Sequence, residues 1–243
     1  MYLRFLACLG LPALASIALA AQVPPAEPNR LTDAEKAAGW RLLFDGQTTA
    51  GWRNFKKPAF PAQGWVIEAG CLRCLPKGGG GDILTDEAFD DFEFAFEWKL
   101  APGANSGVKY LVTEERGSPI AHEYQVLDDE RNEDAKAGRH HQTASFYDVL
   151  APVSEAKAKP IGEFNQSRIV VRGQRVEHWL NGAKALEYEL ESEPLKAALA
   201  RSKFKDVTGF AAKLKGRLLL QDHGGGVWFR NLKVRALPAE PRP

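Results

Sequence analysis

The segment from Gly216 to Val234, GRLLLQDHGGGVWFRNLKV, carries polar residues that a purely structural hairpin does not need. Two apolar runs flank three glycines, a pattern typical of two strands joined by a short connection. Because side chains alternate along a strand, Gln221 and His223 face the side opposite Leu218 and Leu220. If the leucines enter the core, an amide and an imidazole stand together on a sheet face, as a sugar-binding surface requires. The alternative is a solvated strand end.

A second segment, AHEYQVLDD, repeats this arrangement. Tyr124 and Val126 share one face of the predicted strand, so Glu123 and Gln125 share the other. Asp128 follows at the strand end. A carboxylate beside an amide can remove a proton and bind hydroxyl groups. The alternative interpretation of Glu123 is a solvated strand carboxylate.

Other polar and aromatic residues are weaker candidates for a role in such a site. Asn105 lies in an Asn-Ser-Gly turn and contributes only if its amide reaches the sheet face. His178 lies among apolar neighbours, where a histidine is more often a satisfied core residue than a functional one. Tyr147 can close a site or merely pack. The adjacent pair His140 and His141 lies in a polar loop and can bind a metal or nothing.

The spacing of the carboxylates argues against an ordinary two-carboxylate glycosidase. A retaining enzyme of the laminarinase type carries Glu-x-Asp-x-x-Glu, since one carboxylate is the acid and another is the nucleophile. Here Gln125 occupies the facing position beside Glu123, and no predicted strand shows that spacing. The sequence also lacks the H-E-x-x-H, G-x-S-x-G and Walker motifs.

Period-two alternation of apolar and polar residues dominates the chain and predicts a mostly β fold. The longest run is Phe92 to Leu100, and Asn181-Gly182 predicts a two-residue type I′ turn. Thr32 and Glu35 form a capping box that starts a short helix, and Glu193–Phe204 is the one long helical pattern. Further strands are predicted at Val108–Val112, His122–Leu127, Ser145–Val149, Arg168–Arg172, Val176–Leu180 and Ala185–Leu190. These elements predict an all-β, antiparallel two-sheet sandwich of the jelly-roll type with short peripheral helices.

The first residues, MYLRFLACLGLPALASIALAA, predict a cleaved signal peptide. They hold one early arginine, an apolar run and small residues at Ala18 and Ala20, so cleavage is expected near Ala20 or Ala21. The protein is therefore expected to be periplasmic or secreted. The expected organisation is a signal peptide over 1–21, a linker and helix start over 22–35, one sandwich domain over 36–237 and a tail over 238–243.

Composition limits the classes of partner. The chain has 243 residues and a formal net charge of +1 with both signs interspersed, so nothing indicates a nucleic-acid partner. No second long apolar segment follows the leader, so no membrane span is expected.

Cys71 and Cys74 face opposite sides of a predicted strand, so they are interpreted as a strand pair or at most a turn disulfide. Protein partners are not indicated.

Six segments in order resemble the 3-keto-disaccharide hydrolase family, and together they run from about Trp40 to Arg235. The segments are LFDGQTTAGW (43–52), DFEFAFEWKLAPGANSGVKYLV (91–112), HEYQVLDDE (122–130), ASFYDVLAP (144–152), GEFNQSRIVVRGQRVEHWLNG (162–182) and LLLQDHGGGVWFRN (218–231). Phe164 stands where the family more often has tryptophan, which should affect packing alone. The resemblance implies a concanavalin A-like jelly roll and cleavage of glycosides that carry a ketone at C3.

The chemistry that this resemblance implies needs one base rather than two carboxylates. A ketone at C3 acidifies the C2 hydrogen, so a base removes it, the aglycone leaves from C1 by β-elimination, and water adds back. Glu123 or His223 is the expected base, and the sequence does not choose between them. The expected substrate-binding residues are Asn105, Gln125, Asp128, Tyr147, His178, Gln221 and Arg230. A divalent cation that clamps the ketone and an adjacent hydroxyl is compatible with the His and Asp residues available, but no metal ligand is assigned.

The expected site is one concave face on neighbouring strands, with Asn105 and Arg230 at its rim. The competing interpretation is a non-catalytic, lectin-like carbohydrate-binding module, and a third is an adhesion or scaffold domain. A sandwich hosts both binding and catalysis, so the fold does not decide between them. Lectin sites of this shape rely on aromatic platforms, whereas the predicted face carries Glu, Gln and His. The sequence therefore favours an enzyme with a small-molecule or oligosaccharide substrate.

Overall fold

Two antiparallel β-sheets stack on each other to form the protein, whose computed structural model describes residues 27–153 and 156–238. Within these ranges the larger sheet has eight strands and the smaller sheet has five. The all-β sandwich expected from the alternation of apolar and polar residues is thereby confirmed. The expected signal peptide lies outside the described residues, as do the first part of the linker and nearly all of the tail.

The strands follow one another along most of the chain. In chain order they are β1 (Arg41–Leu42), β2 (Trp52–Asn54), β3 (Trp65–Glu68), β4 (Cys71–Cys74), β5 (Ile83–Phe89), β6 (Phe92–Leu100), β7 (Asn105–Val112), β8 (His122–Leu127), β9 (Asn165–Arg172), β10 (Arg175–Leu180), β11 (Ala183–Glu189), β12 (Gly216–Leu220) and β13 (Val227–Ala236). The larger sheet has the order β11-β10-β9-β6-β13-β4-β3, with β1 on β13, and the smaller has β2-β5-β12-β7-β8. Every pairing is antiparallel.

Short helices surround the sandwich: α1 (Asp33–Ala37), two 3₁₀ turns η1 (Glu133–Ala137) and η2 (Arg139–His141), and α2 (Glu193–Leu199). The capping box of α1 is present, because the Thr32 hydroxyl accepts the Glu35 amide and the Glu35 carboxylate accepts the Thr32 amide. The helix α2 ends at Leu199 rather than Phe204. There the Ser202 hydroxyl donates to the Leu199 carbonyl and turns the chain away. None of the helices among the described residues is long and apolar enough to cross a membrane.

The core between the sheets forms because each strand sends alternate side chains inward. Phe92, Phe94 and Phe96 of β6 belong to this core, as do Leu218 and Leu220 of β12. The Asn181-Gly182 turn between β10 and β11 is also as expected, since both residues have positive φ, at 48° and 85°. Cys71 and Cys74 lie buried in β4 as free thiols, so no disulfide joins them.

The segment from Gly216 to Val234 does not form the hairpin that its sequence suggests. Its strands β12 and β13 lie in different sheets, so the glycine connection crosses from one layer to the other. Leu220 and Phe229 then enter the same core from opposite layers. The prediction that Leu218 and Leu220 face the core is therefore confirmed, and the prediction that the two strands pair with each other is wrong.

The expected strand Ser145–Val149 is also wrong. Ala144 and Asp148 have positive φ, at 67° and 59°, which breaks the extended backbone. The segment instead runs along the edge of β8 as a loop. Its backbone bonds to that strand, for example from the Tyr147 amide to the Glu123 carbonyl at 3.1 Å. Tyr147 is therefore attached to the strand that carries Glu123.

A chain of hydrogen bonds between buried aromatic side chains joins the two layers through the core. The Tyr110 hydroxyl on β7 lies 2.8 Å from His178 Nε2 on β10 and 2.7 Å from the Tyr188 hydroxyl on β11. The Tyr188 hydroxyl lies 2.9 Å from His122 Nδ1 on β8, and His178 Nδ1 lies 3.0 Å from the Ala144 carbonyl oxygen. Burial lowers the pKa of His122 to about 3 and that of His178 to about 4. Both rings are therefore neutral near pH 7.

We expect the free energy of unfolding to decrease as the pH falls from 6.5 to about 4. The unfolded chain binds protons at His122 and His178 near pH 6.5, whereas the folded chain binds them only near pH 3 to 4. Urea unfolding at several pH values in this window measures the slope. In His178→Gln, whose amide hydrogen-bonds without titrating, the slope should be smaller. Equal slopes for the two proteins would contradict this origin of the acid sensitivity.

Candidate active site

A cavity of about 380 Å³ lies on the outer face of the smaller sheet. Its polar lining consists of Asn105, Lys109, Glu123, Gln125, Tyr147, Lys203, Gln221 and His223. A neighbouring depression of about 340 Å³ shares Asn105, Tyr147 and His223 with it. We call the two together the cleft. It brings together six residues singled out in the sequence and adds two lysines that the sequence reading missed.

Strand register explains why these side chains meet. On β8, Tyr124 and Val126 enter the core, so Glu123 and Gln125 face the cleft. The neighbouring strand β7 places Lys109 opposite Glu123. Gln221 follows β12 on the other side of β7, where its backbone N–H donates to the Gly107 carbonyl at 3.0 Å. The strands that carry Glu123 and Gln221 are thus not direct neighbours, because β7 lies between them.

Glu123 and Lys109 form a largely desolvated pair at the centre of the cleft. Glu123 is 6% exposed and Lys109 is 9% exposed, with Lys109 Nζ 3.7 Å from Glu123 Oε2. Gly107 makes room for the carboxylate, since a Cβ there would lie only 2.2 Å from Glu123 Oε1. Burial raises the pKa of Glu123, Lys109 partly opposes this rise, and Asp82 adds to it. Glu123 is therefore a stronger base than an ordinary carboxylate.

Asp82 is a charged neighbour of the cleft that the sequence analysis missed. It precedes β5 and accepts the Asp222 amide at 2.9 Å, while the Asp222 carboxylate accepts the Gly81 amide at 2.9 Å. Burial raises the pKa of Asp82, and Lys109 and His223 act against that rise. The ammonium of Lys109 thus interacts with the Glu123 and Asp82 carboxyl groups together.

Two glutamines present unused acceptors in the cleft. Gln125 donates its amide to Asn105 Oδ1 at 3.4 Å, and its own Oε1 is buried without a partner among the described residues. The Oε1 atom of Gln221 is also buried without a hydrogen-bond partner among the described residues. A buried acceptor without a donor carries a free-energy cost, which a bound hydroxyl group would relieve. These two atoms therefore suit a ligand with several hydroxyl groups.

One wall of the cleft comes from outside the sheet. Tyr147, Lys203 and Phe204 line it, and Lys203 Nζ lies 4.1 Å from the centre of the Tyr147 ring. The Lys203 backbone amide donates to Asp148 Oδ2 at 2.6 Å, which joins the segment after α2 to the loop along β8. His223 is exposed on the cleft's border.

Three of the expected substrate-binding residues lie elsewhere. His178 is fully buried in the core between Tyr110 and Ala144, so its expected contact with substrate is wrong. Arg230 is also misplaced by the sequence reading, because it lies on β13 in the larger sheet. There it donates to Glu97 at 2.8 Å and covers the Phe164 ring.

Asp128 is the third expected residue outside the cleft. Its carboxylate accepts the backbone amides of Gly103, Glu130 and Arg131, so it organises the loop after β8. It borders a separate depression of about 720 Å³ rather than the cleft. That depression is larger than the cavity of the cleft. Its second aspartate, Asp129, accepts the Thr143 backbone amide and hydroxyl at 2.8 and 3.1 Å, so these two hydrogen bonds of Asp129 are structural contacts.

The chain is similar to proteins of one carbohydrate-related family. Residues 39–235 match the 3-keto-alpha-glucoside-1,2-lyase-like domain. A 3-keto-disaccharide hydrolase of Bacteroides thetaiotaomicron is 37% identical over 87% of this chain and 83% of its own length. A crystal structure of a candidate glycosyl hydrolase from Parabacteroides distasonis has 31% identity and a TM-score of 0.79, covering 87% of this chain and 100% of that one. A second such structure from the same species, at 24% identity and a TM-score of 0.62, covers 82% and 99% and shows a similar fold.

The two charged neighbours of Glu123 should shift its pKa in opposite directions. Lys109→Met removes a positive charge that favours the carboxylate, so the Glu123 pKa should increase further. Asp82→Asn removes a negative charge that disfavours it, so the pKa should decrease. Carbon NMR titration of protein labelled at the glutamate carboxyl groups measures both changes. A shift in the same direction in the two variants would exclude this electrostatic arrangement.

Proposed function

This chain belongs to the 3-keto-alpha-glucoside-1,2-lyase-like family, and on that premise we propose that it cleaves the glycosidic bond of 3-keto-glycosides. Family membership supports a glycoside-hydrolase-like function. The finer proposal is that the bond breaks by proton abstraction at C2, β-elimination of the aglycone and addition of water. The family resemblance implies this reaction, and the chemistry available in the cleft supports it.

The observation that carries this proposal is the environment of Glu123. Among the described residues that line the 380 Å³ cavity of the cleft, Glu123 is the one carboxylate, and its burial raises its pKa. A displacement at C1 needs an acid and a nucleophile, usually two carboxylates that flank the scissile bond. An elimination from a 3-keto sugar needs one base, because the ketone already acidifies the C2 hydrogen. A single desolvated carboxylate fits the second requirement.

We assign the proton transfers as follows. Glu123 takes the proton from C2, and the C2–H electrons form a C2–C3 double bond as the ketone oxygen becomes an enolate. The ammonium of Lys109, 3.7 Å from the Glu123 carboxylate, is placed to stabilise that negative charge. When the enolate collapses to the ketone, the C2–C3 electrons form a C1–C2 double bond, the C1–oxygen bond breaks and the aglycone oxygen takes a proton. His223, on the solvent side, is our candidate donor. Water then adds at C1, and C2 regains a proton.

The remaining polar groups of the cleft suit binding rather than proton transfer. The unpartnered Oε1 atoms of Gln125 and Gln221 accept hydrogen bonds from sugar hydroxyls. Asn105 and Tyr147 border both parts of the cleft, so they are placed to contact the sugar and the aglycone together. The expected substrate is therefore a small glycoside or oligosaccharide.

Turnover in deuterated water tests the reaction itself. A panel of 3-keto-glycosides and their unoxidised parents is incubated with the protein, and NMR follows aglycone release. Elimination and hydration should place deuterium at C2 of the released 3-keto sugar, above a control without protein. The unoxidised glycosides should remain intact. Cleavage without label at C2 would overturn the mechanism, and binding without cleavage would support a lectin-like module instead.

Replacing Glu123 by Gln should lower kcat by about 10²–10⁴-fold, the usual contribution of a positioned general base. The change keeps the shape of the side chain, so the KM value should change little. In the unaltered protein, kcat/KM should rise with pH around a midpoint above the usual range of a glutamate, because Glu123 acts deprotonated and burial raises its pKa. The matched control is Glu97→Gln, whose carboxylate pairs with Arg230 outside the cleft. Equal losses in the two variants would contradict the assignment.

We further propose that the protein is exported, on the basis of the leader sequence over residues 1–21. A signal peptidase recognises small residues before its cleavage point, which Ala18 and Ala20 supply. The purified mature protein should therefore begin at Ala21 or Gln22 in N-terminal sequencing. Recovery of the protein from the cytoplasm with Met1 still present would contradict export.

A further inference from the structure

We propose that a zinc-type transition-metal ion binds behind the cleft wall, with His140, His141 and Asp148 as its ligands. These residues lie in the loop region between β8 and β9, next to Tyr147. One ligand atom from each can be chosen so that all three lie within 4.8 Å of one another. This site is separate from the proton transfers assigned to Glu123, and the proposal does not depend on the reaction.

The distances between the ligand atoms suit a small ion. Asp148 Oδ1 lies 2.9 Å from His141 Nε2 and 3.9 Å from His140 Nε2. Ligands bound at about 2.0–2.2 Å in a tetrahedral site stand roughly 3.3–3.6 Å apart. The two distances to Asp148 Oδ1 thus differ from this range by about 0.3–0.7 Å, and the two histidine ligand atoms lie within 4.8 Å of each other.

The hydrogen bonding of His141 orients its ring as a metal ligand requires. Its Nδ1 lies 2.8 Å from Asp134 Oδ1, and a carboxylate only accepts hydrogen bonds, so Nδ1 carries the proton. Its Nε2 lies 2.9 Å from Asp148 Oδ1, which is also an acceptor, so this contact needs either a proton on Nε2 or a metal ion that both atoms bind. A carboxylate that orients a histidine toward a metal is the common arrangement around such ligands.

The other two ligands are also held in place. The second oxygen of Asp148 accepts the Lys203 backbone amide at 2.6 Å, which orients Oδ1 toward the histidines. The ring of His140 packs on Gly138, where a Cβ would lie 2.9 Å from its Cε1 atom. The His140 side chain is 42% exposed, which leaves a path for the ion to enter from solvent.

The ligand types select the class of metal. Two imidazole nitrogens and one carboxylate oxygen suit Zn²⁺ and its neighbours in the first transition row. Calcium and magnesium prefer sites built from oxygen ligands. The bound ion would join the loop that carries Tyr147 to the segment that carries Lys203, through Asp148. We therefore infer that the ion stabilises the wall of the cleft.

Calorimetric titration tests the site. Tag-free protein is treated with chelator, dialysed, and titrated with ZnCl₂, while elemental analysis counts the bound ions. We expect one ion per chain, a thermal midpoint that rises with Zn²⁺ and falls again with chelator, and d–d absorption bands when Co²⁺ replaces Zn²⁺. A concentration of 1 mM ZnCl₂ would reveal even weak binding, with a Kd of about 1 mM. Absence of binding at that concentration would overturn the proposal.

Variants separate this site from adventitious binding. His140→Ala removes a half-exposed ligand with little expected effect on folding, and it should weaken binding more than tenfold. Asp134→Asn removes the group that orients His141, and it should weaken binding by about 10–100-fold. His223→Ala, which removes a histidine outside the cluster, is the matched control and should bind Zn²⁺ as the parent does. Unchanged binding in both His140→Ala and Asp134→Asn would refute this location.

Discussion

Two neighbouring strands of the smaller sheet, β7 and β8, bury both of their faces, and the properties of the site follow from this constraint. Every residue of β7 and of β8 is buried. The inner face packs in the core, and the outer face lies beneath the wall formed by Tyr147 and Phe204. Polar side chains on the outer face are therefore removed from bulk water. In this less polar environment charges interact more strongly and pKa values shift. The raised pKa of Glu123 is a direct result of this layering.

Alternation along strands allowed much of the fold and part of the site to be predicted from sequence. The rule is local, so it correctly separated Glu123 and Gln125 from the core side of β8. It does not report which strands lie side by side. Lys109 was missed for that reason, since its importance comes from pairing opposite Glu123 on another strand. Lys203 was missed because it reaches the cleft from a segment outside the sheet.

The errors over His178 and Arg230 have different causes. For Arg230, alternation assigns the residue to a face, but it does not say which of the two sheets that face belongs to. For His178, the apolar neighbours already indicated the core, and its inclusion among the substrate-binding residues was the error. Arg230 points away from the core of the larger sheet, where Glu97 pairs with it. His178 points into the core, where Tyr110 and Ala144 satisfy both of its ring nitrogens. Its hydrogen bonds join the two layers, so its contribution is to the packing of the sandwich.

Gly107 has a consequence for the natural variation of this chain. Every other amino acid carries a Cβ, and at this position that atom would collide with the Glu123 carboxylate. Residue 107 therefore has no conservative replacement while the carboxylate keeps its place, although the backbone there is an ordinary strand that would otherwise tolerate alanine or serine. A related protein with a side chain at this position must hold its carboxylate elsewhere or lack one. The identity of a single residue without a functional group thus becomes a marker that can sort relatives by the geometry of their sites.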